Sequence, residues 1–305
     1  MNNKMALLLI SVAAILWGMI GAFVTYLYEL GFKPIQVVTV RTCSAALFLI
    51  CYVTLKNRQL LKINVIDSKY FVGTGVISIV LFNWCLFSAI EETSISIASI
   101  LLYTAPAFVT IFSRIVFKEW LTTRKMTALL ITLIGCAFVI GILPSTNESI
   151  SFYGFILGLG SGFFYALYSI FGKFALRKYD SLTVTVYTFV FAASAIIPFS
   201  NLSAIFPLFS DIRVWLYIIG LGFFSTMLPF IFYTKGLSTI ESSRASIVAT
   251  LEPVVASFIG FLIFNEQLNV WQYAGMILVL SAVVIVQETN TSKKSNLQSH
   301  QRMIS

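Results

Sequence analysis

Charged residues are scarce in this chain: Asp, Glu, Lys and Arg make up 10% of 305 residues, against about a quarter in soluble domains. With 58% of residues hydrophobic, too little polar material remains to cover a water-soluble globule. Histidine is nearly missing, with His300 alone near the C-terminus, so the commonest general base and metal ligand is absent from the rest of the chain. Cys43, Cys51, Cys85 and Cys136 lie inside apolar segments without CxxC or metal-ligand spacing, so no disulfide framework, metal or other cofactor is expected. There is no HExxH, no paired Asp, and no nucleophile with a base at membrane depth, which argues against an intramembrane enzyme. The run Gly158-Leu159-Gly160-Ser161-Gly162 has no preceding strand pattern and no following Gly-Lys-Ser/Thr, so it is not a phosphate loop. The net charge of +8 comes from short scattered clusters, and without a continuous basic face nucleic acid is not an expected partner.

What the chain has instead is long apolar runs. Ten of them, at roughly 5 to 28, 34 to 55, 70 to 90, 95 to 117, 125 to 142, 152 to 176, 182 to 200, 214 to 236, 242 to 264 and 271 to 288, approach the ~20 residues that cross ~30 Å of hydrocarbon as a helix. Pro34 falls at a helix start, and Pro144 and Pro207 mark turns outside the bilayer. Residues 289–305 are rich in Ser, Asn and Gln and are expected to form a disordered tail. With the N-terminus inside, thirteen of the 20 Lys and Arg fall in cytoplasmic segments and only Lys33 and Arg213 on the other side. The positive-inside rule then places both termini in the cytoplasm of a multi-pass protein of the plasma (cytoplasmic) membrane.

A shift of 147 residues aligns the two halves without a gap. It superposes Pro106 on Pro253, Phe117 and Glu119 on Phe264 and Glu266, Gly73 and Gly75 on Gly220 and Gly222, and Ser96 on Ser243. Between Ser96 and Val139 there are 10 identities in 44 positions; matched Leu, Ile or Val are cheap in such a composition, so the weight of the repeat rests on Pro, Glu, Gly and Ser. Each repeat, 1–143 and 150–288, holds five spans, an odd number, so the second enters the membrane from the opposite face. The expected fold is an all-α membrane protein of ten transmembrane helices, arranged as two inverted five-helix repeats around a central cavity. In that plan substrate sits near the midplane between repeats, beside interrupted helices.

Several motifs resemble those of the EamA group of the drug/metabolite transporter superfamily. They are Ile15-Leu16-Trp17-Gly18, Arg41, Pro106, Phe117-Lys118-Glu119, Leu251-Glu252-Pro253-Val254 and Phe264-Asn265-Glu266. The resemblance covers almost the whole chain. It implies a ten-helix basket and an exporter of amino acids or similar small polar or amphipathic metabolites, working by alternating access. A channel or a non-transporting scaffold is the competing reading, because repeats speak of architecture and not of rate. Oligomeric state is not legible, since small-residue seams pack helices equally well within or between chains.

Glu252 is the acid expected at mid-span, where an ionised side chain is costly and functional by default. It reads either as a proton-coupling carboxylate or as a structural anchor, and Ala105 at the equivalent position confines it to one repeat. Arg41 and Lys173 are candidate contacts for a substrate carboxylate or counter-ions of Glu252, with snorkelling to the boundary the alternative for Lys173. Trp17, Asn83, Trp84, Tyr103, Tyr165 and Tyr168 fall on spans where they could face a cavity, and helix packing is the plainer reading for the aromatic ones. Pro106, Pro198, Pro229 and Pro253 are expected to kink their spans. Gly154, Gly158 and Gly162 form a packing seam.

Overall fold

The computed structural model describes residues 1–141 and 151–287. Pro144, His300 and the polar tail lie outside the described residues. Among the described residues, nine helical stretches are long and apolar enough to cross a membrane: Asn3–Glu29, Pro34–Lys56, Val65–Glu92, Ile95–Phe117, Phe152–Ala175, Ser181–Phe199, Ile212–Leu237, Ser242–Phe264 and Val270–Gln287. Thr123–Val139, 17 residues, is the fifth span in chain order. It starts earlier than the apolar run because the Thr122 side chain accepts from the Lys125 N–H, and it ends early because Gly141 turns left-handed at φ +83°. The first span begins on what is called here the amino-terminal face.

The two halves repeat in backbone detail. The fourth span breaks at Tyr103 (φ −73°, ψ 7°) and the ninth at the equivalent Thr250 (φ −70°, ψ 4°). Both resumed helices end in left-handed caps, Lys118 (φ 55°, ψ 33°) and Asn265 (φ 54°, ψ 31°). The third and eighth spans both widen to π-helical geometry, over Val72–Val80 and Gly220–Met227. Packing follows the same two-fold relation. The second span packs on the seventh and the fifth on the tenth; the third-on-sixth contact is matched by the eighth on the first, and the fourth-on-sixth by the ninth on the first. Large apolar side chains such as Leu47, Leu130, Ile156 and Leu262 remain exposed on the outside, as a lipid-facing surface requires.

The prolines act as starters of helices more than as kinks within them. Pro229 is the exception, lying inside the continuous eighth span where π-helical geometry gives way to α, whereas Pro106 sits at the second position of a resumed helix and Pro253 follows Glu252 in the first turn after Thr250. There the missing N–H has no partner to lose. A threonine hydroxyl at each break donates to a carbonyl of the preceding turn, Thr104 Oγ1 to Leu101 O and Thr250 Oγ1 to Ile247 O, both at 2.6 Å. Pro198 lies in the terminal turn Ile197–Phe199, so it ends the seventh span and does not interrupt it.

The glycine seam brings the sixth span against the break in the fourth. A Cβ at Gly162 would meet the Leu101 carbonyl and the Thr104 hydroxyl, both at 2.8 Å. Gly162→Leu is therefore expected to push the two spans apart and to destabilise by about 1–3 kcal/mol, the usual range for overpacking. Thermal unfolding in detergent reads this directly, and an unchanged midpoint would show that the seam yields. On the amino-terminal face, Lys178 ties two loops together by donating to Asp67 at 2.7 Å. That hydrogen bond holds the Lys178 ammonium above its usual pKa.

Candidate functional site: a cavity between the repeats

The two helix breaks face a shared cavity with about 970 Å³ of non-atom space, including its open mouth. The fourth span contributes Leu102, Tyr103, Ala105 and Pro106, and the ninth contributes Ser246, Ala249, Thr250 and Glu252. The second adds Val38, Arg41 and Thr42, and the third adds Ser78, Ile79, Phe82 and Asn83. Breaks place the ends of half-helices at the cavity wall. Glu252 lies in the first turn of Leu251–Phe264, where the helix dipole favours a negative charge. Its backbone carbonyl is approached closely by the first span, since a Cβ at Gly18 would meet Glu252 O at 2.9 Å.

An aromatic cluster lies between the breaks and the amino-terminal face. Trp17 is buried against Phe230 and Tyr233, with ring centroids 5.1 and 5.2 Å away. Phe230 in turn packs on Tyr168 at 5.2 Å and on Phe189 at 4.8 Å. The polar ends of this cluster are tied down. Tyr168 OH and Thr234 Oγ1 are 2.6 Å apart, and Ser169 Oγ and Tyr233 OH are 2.7 Å apart. Buried hydroxyls held this way rigidify the cluster, because an unmade bond at depth costs more than a made one gains.

The charged groups at mid-depth are held differently. Arg41 Nε donates to Thr226 Oγ1 at 2.9 Å, and the Thr226 hydroxyl in turn donates to Leu221 O at 2.7 Å. Among the described residues, the terminal nitrogens of Arg41 have no hydrogen-bond or ion-pair partner, and neither does the Glu252 carboxylate. Each feels the other's field across the cavity without forming an ion pair. Asn83 donates through Nδ2 to Ile79 O at 2.7 Å, which leaves its oxygen for the cavity side. Tyr103 and Tyr165 are also in the wall, the latter edge-on to Phe82 at 5.3 Å.

Of the residues expected to meet, Trp17, Arg41, Asn83, Tyr103, Tyr165, Tyr168 and Glu252 do line one cavity, and Trp84 and Lys173 do not. Trp84 is 54% exposed on the outside of the bundle. Neighbours on a helix are turned by about 100°, so Asn83 inside places Trp84 outside. Lys173 instead joins a separate polar pocket near the amino-terminal face, with Glu119, Arg177 and Glu241. Its Nζ donates to Ile240 O at 2.7 Å and stands 3.6 Å from Glu119. It is thus neither a cavity contact nor a counter-ion of Glu252. Thr226, Phe230 and Tyr233 are cavity or supporting residues that sequence reasoning missed. Their only signal is position on the eighth span, beside Pro229.

Glu119 was legible only as a marker of the repeat, and the structure gives it a task. It is 8% exposed. Its carboxylate accepts from Ser242 N at 2.8 Å, Ser243 N at 3.2 Å and Ser243 Oγ at 2.6 Å. These are the first N–H groups of the ninth span, which have no partner within their own helix. The fourth span of one repeat thereby closes on the ninth span of the other.

Ten helices in two inverted halves, with polar and charged side chains converging on a cavity at the helix breaks, define a membrane transporter. The chain belongs to the EamA-like transporter family, whose model matches residues 4–141 and 152–287. An uncharacterized transporter of Archaeoglobus fulgidus is 29% identical over 88% of this chain and 94% of its own length. The uncharacterized inner membrane transporter YicL of Salmonella typhimurium is 23% identical over 93% of this chain and 96% of its own. A protein of known crystal structure superposes with a TM-score of 0.76 at 15% identity, over 93% of this chain and 98% of that one. At that identity the likeness is one of fold.

Proposed function

We propose that this protein exports small zwitterionic metabolites of the amino-acid class by alternating access, with both termini in the cytoplasm. The observation that carries the reading is that Arg41 of one repeat and Glu252 of the other line the same cavity with their terminal groups unpaired by protein. Buried charges normally pair, and a solute bearing both a carboxylate and an ammonium supplies both partners at once. The surrounding Tyr103, Tyr165 and Phe82 suit an apolar or aromatic remainder. Orientation rests on the excess of Lys and Arg in the segments on the amino-terminal side.

Proton coupling follows from the same carboxylate. A proton and a substrate ammonium compete for Glu252, so each leaves as the other binds, and an inward proton gradient drives the metabolite out. The test is counterflow in liposomes carrying the full chain, using a panel of radiolabelled amino acids with and without an imposed pH gradient. Saturable, competable exchange that accelerates with the gradient is the expected result. Unsaturable flux would identify a channel, and no flux of any zwitterion would overturn the substrate class.

A further inference from the structure

The closure at the amino-terminal face has a twin that is open. Glu119 and Glu266 occupy equivalent positions, one residue after the equivalent left-handed caps Lys118 and Asn265. Their backbones are bound alike, Glu119 N to Ser113 O and Glu266 N to Gly260 O, both at 3.2 Å. The helices that follow are capped alike, by Thr122 and by Asn269. The two carboxylates nevertheless differ. Glu119 is buried and clasps the start of the ninth span. Glu266 is exposed and folds back against Gly260, at the end of its own helix, with no side-chain hydrogen bond or ion pair among the described residues.

By the repeat relation, the counterpart of Ser242 and Ser243 is Ile95 and Ser96, the start of the fourth span on the opposite face. Glu266 makes no bond to either. Packing agrees, because the segment Ser242–Ala249 lies on Ala105–Phe117, whereas its mirror pair, Ile95–Leu102 and Leu251–Phe264, has no comparable contact. The bundle is therefore shut at the amino-terminal face and parted at the other.

We propose that Glu119 and Glu266 form a reciprocal latch, in which only one carboxylate at a time caps the broken span of the other repeat. In the state seen here Glu119 holds the N–H groups of Ser242 and Ser243. In the opposite state Glu119 lets go, and Glu266 caps Ile95 and Ser96. The reasoning is that two copies of one backbone device, inserted with opposite orientation, exchange conformations when the cavity changes sides. The latch also accounts for why this state is the one adopted. The amino-terminal latch is reinforced by Lys173 beside Glu119 and by the pair Lys125–Glu241 at 2.7 Å. The positions equivalent to the two lysines are Tyr26 and Gln272, so the opposite latch has no such cations.

This inference rests on the alternating-access reading but needs no substrate to test. In the full chain with Cys43, Cys51, Cys85 and Cys136 replaced by alanine, two single cysteines that leave both carboxylates in place, Ser243→Cys (buried) and Ser96→Cys (half-buried), are compared by their rate of labelling with a water-soluble maleimide. Ser243→Cys is expected to label slowly and Ser96→Cys quickly. With Glu119→Ala added, Ser243→Cys should label at least ten-fold faster and Ser96→Cys at least ten-fold slower, and adding Glu266→Ala should undo the slowing at Ser96→Cys. Because Glu119→Ala also removes a buried cap, Glu119→Gln is run beside it, and a monodisperse elution profile certifies each variant. A Ser96→Cys that labels at one rate in all backgrounds would overturn the latch. Counterflow that survives such a result would leave the transport reading standing. Reciprocal labelling without zwitterion flux would sink the substrate class and keep the latch.

Discussion

Glu252→Gln is expected to weaken the apparent affinity for a zwitterionic substrate by about 10- to 100-fold while leaving the protein as stable as before, or more so. The first half follows from the loss of one charge-assisted hydrogen bond, worth about 1.5–3 kcal/mol, at about 1.4 kcal/mol per factor of ten. The second half follows from the absence of any protein partner: Glu252 makes no hydrogen bond or ion pair among the described residues. Removing an unpaired charge from mid-membrane therefore breaks nothing and relieves desolvation. A structural anchor predicts the reverse, a fall in thermal midpoint together with the fall in transport. The pairing of groups can be checked with analogues. An amino-acid amide, which keeps the ammonium and lacks the carboxylate, should feel Glu252→Gln and be nearly indifferent to Arg41→Gln. An N-acetyl amino acid should show the opposite pattern. If both variants weakened both analogues equally, the two side chains would not be reading the two ends of the solute.

How far the site could be read in advance depended on which coordinate a residue's role required. Depth in the membrane is a one-dimensional property, and the apolar runs reveal it. On that basis Glu252 reads as mid-span and Arg41 and the tyrosines as lying within spans, and they line the cavity. The repeat was legible for the same reason, since a linear shift finds Pro106 opposite Pro253 and Glu119 opposite Glu266. Which way a side chain points around its helix is set by tertiary packing, and an all-apolar span carries no stripe to reveal it. So Asn83 and Trp84 could not be told apart until the third span was seen to pack on the sixth. Lys173 shows the other limit. Its partner Glu119 lies 54 positions away in the chain (173 − 119) and comes from the other repeat, so no local pattern could join them. The prolines mark the last. Pro253 indicates an interruption near Glu252, but whether it bends a helix or starts one depends on the backbone at Thr250, where the preceding helical segment ends.

Glu119→Leu should be the most destabilising of the carboxylate substitutions, by about 3–5 kcal/mol, the range for breaking a buried charged network by removing one partner. Three donors lose their acceptor at once, Ser242 N, Ser243 N and Ser243 Oγ, and Lys173 loses the carboxylate 3.6 Å from its ammonium. Leucine fills the space but accepts nothing, so the helix start at Ser242 is left uncapped in a place with little water. Glu119→Gln keeps one acceptor oxygen and turns an NH₂ group toward the remaining donors, so its loss should fall between wild type and leucine. Glu266→Leu, at the equivalent position, should move stability by no more than about 0.5 kcal/mol, as surface substitutions usually do, because that side chain is exposed and makes no hydrogen bond or ion pair among the described residues. Unfolding of the purified full-length variants in one detergent measures all three. The order Glu119→Leu, then Glu119→Gln, then Glu266→Leu requires that the amino-terminal face be the closed one at rest. Equal losses at Glu119 and Glu266 would mean that both faces are latched together, and a bundle latched at both faces could not present its cavity to either side without first breaking a cap.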